Sequence, residues 1–358
     1  MKRVLIGMSG GVDSSVAAYL LKERGFEVWG CTLRLYDNEM LGLELPESGC
    51  CSVSDILDAK SVCRSIGIEH ITLDMCADFE KYVIKPFAQS YARGETPNPC
   101  IECNRHLKFS LMLKKALNLG FDYVATGHYA DIRFNNSTGR YELIRPADRH
   151  KDQTYVLYSL TQTELSHTLF PLYSLEKAEI RKIAEESGFV NSHKPDSQDI
   201  CFVADGSYTS FLEKYTGKSE EKGDFIDKYG NVLGQHQGIS HYTIGQRRGL
   251  GIALGRPVFV TAVDPVRNTV TLGDEEDLFR DSVIIKDINL ISIDALDRPV
   301  KVTAKTRYTH RETPAAVFPL ENGTARVEFE SPVRAPAPGQ ACVFYDGDKV
   351  VGGGTIII

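Results

Sequence analysis

Residues 4–24 constrain this chain more than any other stretch. Val4-Leu5-Ile6 is a short apolar run, Ser9-Gly10-Gly11-Val12-Asp13-Ser14 follows, and an amphipathic pattern runs from about Asp13 to Arg24. A short apolar run, a glycine pair and then helical periodicity predict a buried strand, a tight loop and a helix. Val16, Ala17, Leu20 and Leu21 supply the apolar stripe, Asp13 or Ser14 is placed to cap the helix, and Gly25 ends it. Glycines at such a junction let the backbone curl into a nest of N–H groups, to which the helix adds the positive end of its dipole. The junction is a seat for phosphate; the plain alternative is a glycine turn with no ligand.

The same rhythm recurs. Phe26 to Leu33 reads as a strand, Asp55 to Ile66 as a helix stopped by Gly67, and His70 to Leu73 as a strand. Leu107 to Leu117 reads as a helix closing near Gly120, and Tyr123 to Thr126 again as a strand. Strands alternating with helices imply βαβ units, hence a doubly wound α/β domain on a parallel sheet.

From about Phe202 the pattern changes. One helix is expected at Phe211 to Tyr215, and beyond Arg256 the runs are short and β-branched: Val258 to Val263, Thr269 to Leu272, Val283 to Ile285, Val300 to Thr303, Ala325 to Phe329 and Val350 to Ile358. Turns such as Asp264-Pro265 and Glu321-Asn322-Gly323 separate them, which suits a small antiparallel barrel. The expected domains are residues 1–200, a small β-rich middle domain at 201–268, and a C-terminal β-barrel at 269–358. A chain of 358 residues accommodates two or three domains at about 150 residues each.

With 42% hydrophobic and 25% charged residues the chain reads as globular, and its longest apolar runs fall far short of a membrane span. Met1-Lys2-Arg3 leads into a strand pattern rather than a signal peptide, so a cytoplasmic protein is expected, with no membrane partner. The formal net charge of −7 means that any nucleic acid must be met by local basic patches. Nine cysteines without an export signal point to thiol or metal chemistry, or to core packing, rather than a disulfide framework.

Two cysteine contexts stand out: Thr96-Pro97-Asn98-Pro99-Cys100-Ile101-Glu102-Cys103-Asn104 and Asp196-Ser197-Gln198-Asp199-Ile200-Cys201-Phe202. Neither is an apolar helix face. Cys103 precedes a helix, whose N-terminus lowers a thiol pKa and favours a nucleophilic thiolate. A structural zinc site at Cys100 and Cys103 would need two further ligands, and there is no second C-x-x-C. Cys31 and Cys342 fit small buried hydrophobes.

The glycine junction lacks the lysine of a Walker loop, and it resembles the PP-loop of enzymes that cleave ATP between its α- and β-phosphates. By that resemblance Gly7, Met8, Ser9, Gly10, Gly11, Val12, Asp13 and Ser14 hold ATP, with Asp13 helping to bind magnesium on the pyrophosphate. Leu33 and Gly127, at the carboxyl ends of two further strands, line the same crevice. Taken singly, they are better read as a core leucine and a turn glycine.

Further motifs extend over nearly the whole chain: Gly127-His128-Tyr129-Ala130, Lys151-Asp152-Gln153-Thr154-Tyr155, the Asp196 to Phe202 segment, Tyr242 to Gly251, Val263-Asp264-Pro265 and Asn268-Thr269-Val270. With the PP-loop and both cysteines, they are similar to the tRNA-specific 2-thiouridylases of the MnmA family. The resemblance implies ATP-dependent sulfur transfer to C2 of a wobble uridine in tRNA, with Cys103 and Cys201 catalytic. Cys201 would carry a persulfide, and a Cys103–Cys201 disulfide would close the cycle. A persulfide or sulfide donor protein and a thiol reductant are the implied partners, besides tRNA. By the same resemblance Asn98, Pro99 and Cys100 line the pocket of the flipped base, and His128, Lys151, Asp152, Gln153, Arg307, Tyr308 and Gln340 contact tRNA.

Read alone, His128 is better taken as a satisfied loop histidine and Lys151 as a solvated charge. Arg298, Lys301, Lys305, Arg307 and Arg311, with Tyr308 among them, make either a solvated strand face or a stacking and phosphate surface. Arg247 and Arg248 form a second candidate patch. Other readings are a PP-loop synthetase using ammonia, which needs no cysteine pair, and a noncatalytic tRNA binder switched by ATP. At position 100 many members of the family carry Asp. Here Cys100, Cys103 and Cys201 offer three thiolates, which a [4Fe–4S] cluster would use, against a spare thiol in a pure persulfide mechanism.

Overall fold

Strand β1 (Arg3–Gly7) is the pivot of the architecture. The computed structural model describes residues 1–36, 53–196, 200–203 and 207–357. Ser197-Gln198-Asp199 of the second cysteine motif and the terminal Ile358 lie outside the described residues. The chain forms two units. The first comprises Met1–Val83, Cys100–Ser207 and Asp348–Val350; the second comprises Ile84–Pro99, Tyr208–Gly347 and the chain from Val351.

In the first unit β1 is followed by β2 (Glu27–Arg34), β3 (Glu69–Asp74) and β4 (Tyr123–Ala125). After an antiparallel hairpin, β5 (Asp131–Asn135) with β6 (Arg140–Ile144), comes β7 (Thr168–Leu169). The sheet order is β3-β2-β1-β4-β7, parallel throughout, with Val4 opposite both Val28 and Tyr123. The chain winds outward from β1 to β3 and then returns to the other side, so the strand order reverses between β1 and β4. In such sheets ligands bind at that switch point, beyond the carboxyl ends of the strands.

Helices α1 (Val12–Glu23), α2 (Val53–Ser65) and α3 (Lys177–Glu186) cover the sheet. Val16, Ala17 and Leu21 of α1 pack with Val4 and Ile6 of β1 and with Ile180 and Ala184 of α3, as a 3.6-residue stripe requires. The capping expectation is corrected. The N-cap is Gly11, with no side-chain cap; Asp13 lies in the first turn, and Ser14 Oγ turns back to donate to the Gly11 carbonyl at 3.0 Å. The expected helix at Leu107 starts eight residues earlier. A helical run extends from Pro99 to Asn118, its middle, Cys103–Leu111, wound as π-helix. Pro99 takes the first helical position, where its missing N–H costs nothing.

The second unit holds helix α4 (Tyr208–Thr216) and a four-stranded sheet of β8 (Gly223–Ile226), β9 (Val232–His236), β10 (Phe259–Asp264) and β11 (Thr269–Gly273). Phe225, Tyr242, Val260, Val270 and Leu272 fill its core. Six antiparallel strands follow: β12 (Phe279–Leu290), β13 (Val300–Lys305), β14 (Thr313–Pro319), β15 (Ala325–Arg334), β16 (Ala341–Asp346) and β17 (Lys349–Ile356). Their order is β12-β15-β14-β13-β16-β17, and β17 returns to pair with β12, Ile285 opposite Ile356. The barrel is closed around Val302, Ala304, Val317, Val327 and Phe344, so no edge strand is left open. The α/β domain, the small β-rich domain and the antiparallel barrel are thus all present.

Candidate active site

Gly7 ends β1, and the next residue, Met8, donates its N–H to the Cys31 carbonyl at 2.7 Å. Gly10 has φ +73°, and a Cβ there would stand 2.5 Å from the Asp55 carbonyl oxygen, so only glycine fits. Ser14 Oγ accepts from the Ser9 N–H at 3.2 Å and, on the far side of the loop, buried Asn191 donates to the Gly10 carbonyl at 2.9 Å and lies 3.0 Å from Ser15 Oγ. The loop is therefore braced through its carbonyls and hydroxyls, while the start of α1 has no side-chain cap. The first N–H groups of such a helix suit an anion, and a triphosphate fits this end chemically. Leu33 is buried near the end of β2, and Gly127 follows β4 against the first turn of α1.

Asp13, in that first turn, accepts from Tyr129 Oη at 2.9 Å and from Lys177 Nζ at 2.6 Å. Lys177 also pairs with Asp196 at 2.7 Å, and Asp196 is gripped by Lys151 at 2.7 Å and Arg181 at 3.1 Å. Burial works against ionising Asp196, but hydrogen bonds from Lys151 and Lys177 outweigh it and hold the carboxyl below its usual range. Burial, and then the Asp13 charge, push the Tyr129 phenol well above its usual value, so it stays a donor. Sequence reasoning gave no role to Lys177, Arg181, Asn191 or Tyr129. The one local signal was a basic pair four residues apart on α3.

Among the described residues no three His, Cys, Asp or Glu side chains converge to hold a metal ion. One carboxylate, Asp13, is what a magnesium ion shared with phosphate oxygens requires. Among the described residues Cys100, Cys103 and Cys201 do not converge as the ligand group of an iron–sulfur cluster. Cys100 is exposed and Cys103 buried on the same helical run, so the two sulfurs occupy different surroundings, and Cys201 completes no metal-binding group with them. Cys103 begins the π-wound stretch, next to buried Asn104, whose amide donates to the Val156 carbonyl at 3.0 Å. Cys201 is half-buried; its carbonyl accepts from Tyr36 Oη at 2.9 Å, and Phe202 packs edge-on against Phe79. Burial pushes the Cys31 thiol up to about 12 and the Cys342 thiol higher still, which marks both as core residues.

His128 sits between Phe109 and Phe170 and lies 2.7 Å from Thr126 Oγ1. Burial first, and the Lys108 charge second, keep it neutral. Asp152 accepts from the Thr154 N–H and hydroxyl at 2.9 and 2.6 Å, and Gln153 accepts from the Tyr129 N–H at 2.9 Å. Gln153 thereby ties the loop that carries Gly127 and His128 to this segment, which Asp152 braces from within.

In the second unit Asn98 is half-buried and Pro99 buried. The Thr96 carbonyl just before them accepts from Gln340 Nε2 at 2.9 Å, and the Thr96 N–H donates to Pro338 at 2.7 Å. The Arg307 guanidinium donates to the carbonyls of Ile244 at 2.7 Å and Ala335 at 3.1 Å. Tyr308 is exposed, with Lys305 Nζ 5.8 Å from its ring centroid. Gln340 and Arg307 are thus braces of the backbone, and Lys305 with Tyr308 offers the open basic and aromatic surface.

Three family models match the chain in succession: a tRNA methyl transferase HUP domain over residues 2–205, a tRNA methyl transferase PRC-barrel domain over 209–274, and an aminomethyltransferase beta-barrel domain over 280–356. A protein of Acetivibrio thermocellus named tRNA-specific 2-thiouridylase MnmA is 50% identical over 355 residues, 99% of each chain. Proteins of the same name from Clostridioides difficile and Clostridium perfringens are 50% and 51% identical over 99% of this chain and 98% of their own. The chain belongs to the MnmA family. The domain descriptions speak of methyl transfer, whereas the MnmA relatives, matched from end to end, are named for thiolation. The MnmA family match unites in one protein the α/β unit with its glycine loop and the β-rich remainder.

Proposed function

We propose that this protein is a tRNA sulfurtransferase that uses ATP to convert a uridine of tRNA, at the wobble position, to 2-thiouridine. The observation that carries the reading is the end-to-end match to 2-thiouridylases in a chain whose glycine loop leads into a helix start with no side-chain cap. The loop and the α1 N-terminus take the ATP phosphates, and Asp13 holds magnesium with them, which neutralises charge on the pyrophosphate. Uracil O2 attacks the α-phosphate, pyrophosphate leaves, and the oxygen becomes part of an AMP leaving group.

Cys201 then carries the incoming sulfur as a persulfide taken from a donor protein. Its outer sulfur attacks C2 and AMP departs; Cys103 thiolate attacks the Cys201 sulfur, and the S–S electron pair stays with the thiocarbonyl. Alternatively, Cys103 first releases hydrosulfide, which attacks C2. Both routes leave a Cys103–Cys201 disulfide, which a thiol reductant reopens. Asn98, Pro99 and Cys100 line the pocket of the flipped base. His128, Lys151, Asp152, Gln153, Arg307, Tyr308 and Gln340 form the tRNA side, with the charge and stacking surface at Lys305 and Tyr308. The reading includes a cytoplasmic location, which a tRNA substrate supports. Incubation of tRNA with the protein, ATP, magnesium and a sulfide source, followed by nucleoside mass analysis, is the test. An oxygen-to-sulfur mass gain in uridine that requires ATP is expected; its absence would overturn the reading.

A further inference from the structure

We propose that Lys177 is the cation that binds the β- and γ-phosphates of ATP in this site, with Asp13 and Asp196 holding its ammonium ready beside the α1 N-terminus. The inference rests on the ATP-dependent reading above. Residues 4–21, from β1 through most of α1, contain no lysine or arginine, so the loop itself offers a triphosphate N–H groups, serine hydroxyls and a helix dipole but no cation. Elsewhere, phosphate-binding loops add a lysine that reaches the β- and γ-phosphates. Here a lysine arrives from α3, 164 positions away in sequence, and stops 2.6 Å from a carboxylate in the first turn of α1.

The position of Lys177 is poor for helix stability. It is the first residue of α3, where a positive charge opposes the helix dipole. The start of α3 is secured by other groups: Glu176 and Glu179 form a capping box, and Asp148 accepts from the Lys177 N–H at 3.0 Å. The ammonium is therefore not needed by its own helix. Its side chain is also the most sheltered of the three cations around Asp196, 14% exposed against 34% for Lys151 and 33% for Arg181. Of its three N–H donors, Asp13 and Asp196 take two. A compact charge on a flexible stem can exchange a carboxylate oxygen for a phosphate oxygen with little rearrangement. Arg181, one turn further along α3, keeps its hold on Asp196 during that exchange.

The test is equilibrium binding of α,β-methylene-ATP, which cannot be cleaved at that bond, and of AMP to the full-length protein. Lys177→Met should weaken binding of the ATP analogue by about tenfold or more, the scale of one charge-assisted hydrogen bond, and leave AMP binding within about twofold. Lys177→Arg should restore most of the analogue affinity. Asp196→Asn, which removes one of the two carboxylates competing for the ammonium, should bind the analogue at least as tightly as the wild type. Wild-type affinity in Lys177→Met would overturn the proposal, as would parallel loss of analogue and AMP binding. An equal loss in Asp196→Asn would assign the effect to the ion-pair network and overturn it too. A wild-type protein that binds neither nucleotide would overturn the ATP reading itself, a result distinct from all of these.

Discussion

Gly127 lies so close to the first turn of α1 that a Cβ on it would stand 2.8 Å from the Ser14 nitrogen and 2.9 Å from the Asp13 carbonyl carbon. Both are backbone atoms that cannot swing aside. Gly127→Ala should push the helix start away from its place, costing about 1–3 kcal/mol of stability and much of the ATP affinity. Gly11, with φ −92° and Ser9 Oγ 3.4 Å away, has room for a methyl group, and Gly11→Ala should change stability by no more than about 0.5 kcal/mol. Thermal melts with and without ATP check both.

Cys103→Ser and Cys201→Ser should each abolish thiolation, and the double variant should be no worse, because in the proposed reaction the two thiols act as one unit. Cys342→Ala should retain activity and lose only about 1 kcal/mol of stability, since its thiol is enclosed in the barrel core. Thiolation by Cys103→Ser with a natural sulfur donor would disprove the two-cysteine route.

His70 gives a stability signature with a definite sign. Its Nε2 lies 2.9 Å from Thr32 Oγ1, whose hydroxyl donates to the Met8 carbonyl, so the ring must supply the proton at Nε2. Nδ1 is buried without a hydrogen-bond partner, and burial, aided by the Lys60 charge, lowers the pKa to about 4. The folded pKa is depressed below that of the unfolded chain, roughly 6.5. The unfolded state therefore binds more protons between the two values, and stability is lost as the pH falls from about 6.5 toward about 4. In His70→Phe the fall in melting temperature over that window should be shallower.

Lys305 and Tyr308 carry the docking prediction. Lys305→Ala with Tyr308→Ala should weaken tRNA binding and reduce its salt slope by about one unit per lost phosphate contact, leaving the melting temperature nearly unchanged. Arg307→Ala should also lower the melting temperature, because its guanidinium satisfies the Ile244 and Ala335 carbonyls. Unaltered tRNA affinity across a salt series in the double variant would return these residues to a solvated strand face.

The parts of the fold that were legible in the sequence are those written within one window. The stripe of Val16, Ala17 and Leu21 and the run Val4-Leu5-Ile6 announce α1 and β1 because their partners recur every turn or every strand. Strand β14 was not among the expected runs: Pro314 and Pro319 depart from a strand pattern, although the closed barrel accommodates both. Strand β16, Ala341–Asp346, went unread because five consecutive buried residues show no alternation. The loop itself was readable, but its brace was not: Asn191 and Gly10 are 181 positions apart, and nothing in either neighbourhood names the other.

The bond from Gln340 to Thr96 joins residues 244 positions apart. During synthesis the Thr96 segment leaves the ribosome long before its partner exists. At about 5–20 residues per second, the delay is roughly 12 to 50 s. Throughout that interval Ile84–Pro99 is a tether interrupting the first unit, belonging to a unit that has not yet been made. A nascent chain can therefore lay down β1 to β4 early, but the turn leading into Asn98 and Pro99 settles only when the final strands arrive. Chains that stop short of Gln340 should hold a formed glycine loop and an unfixed Thr96 segment, which ties completion of the second unit to completion of the whole polypeptide.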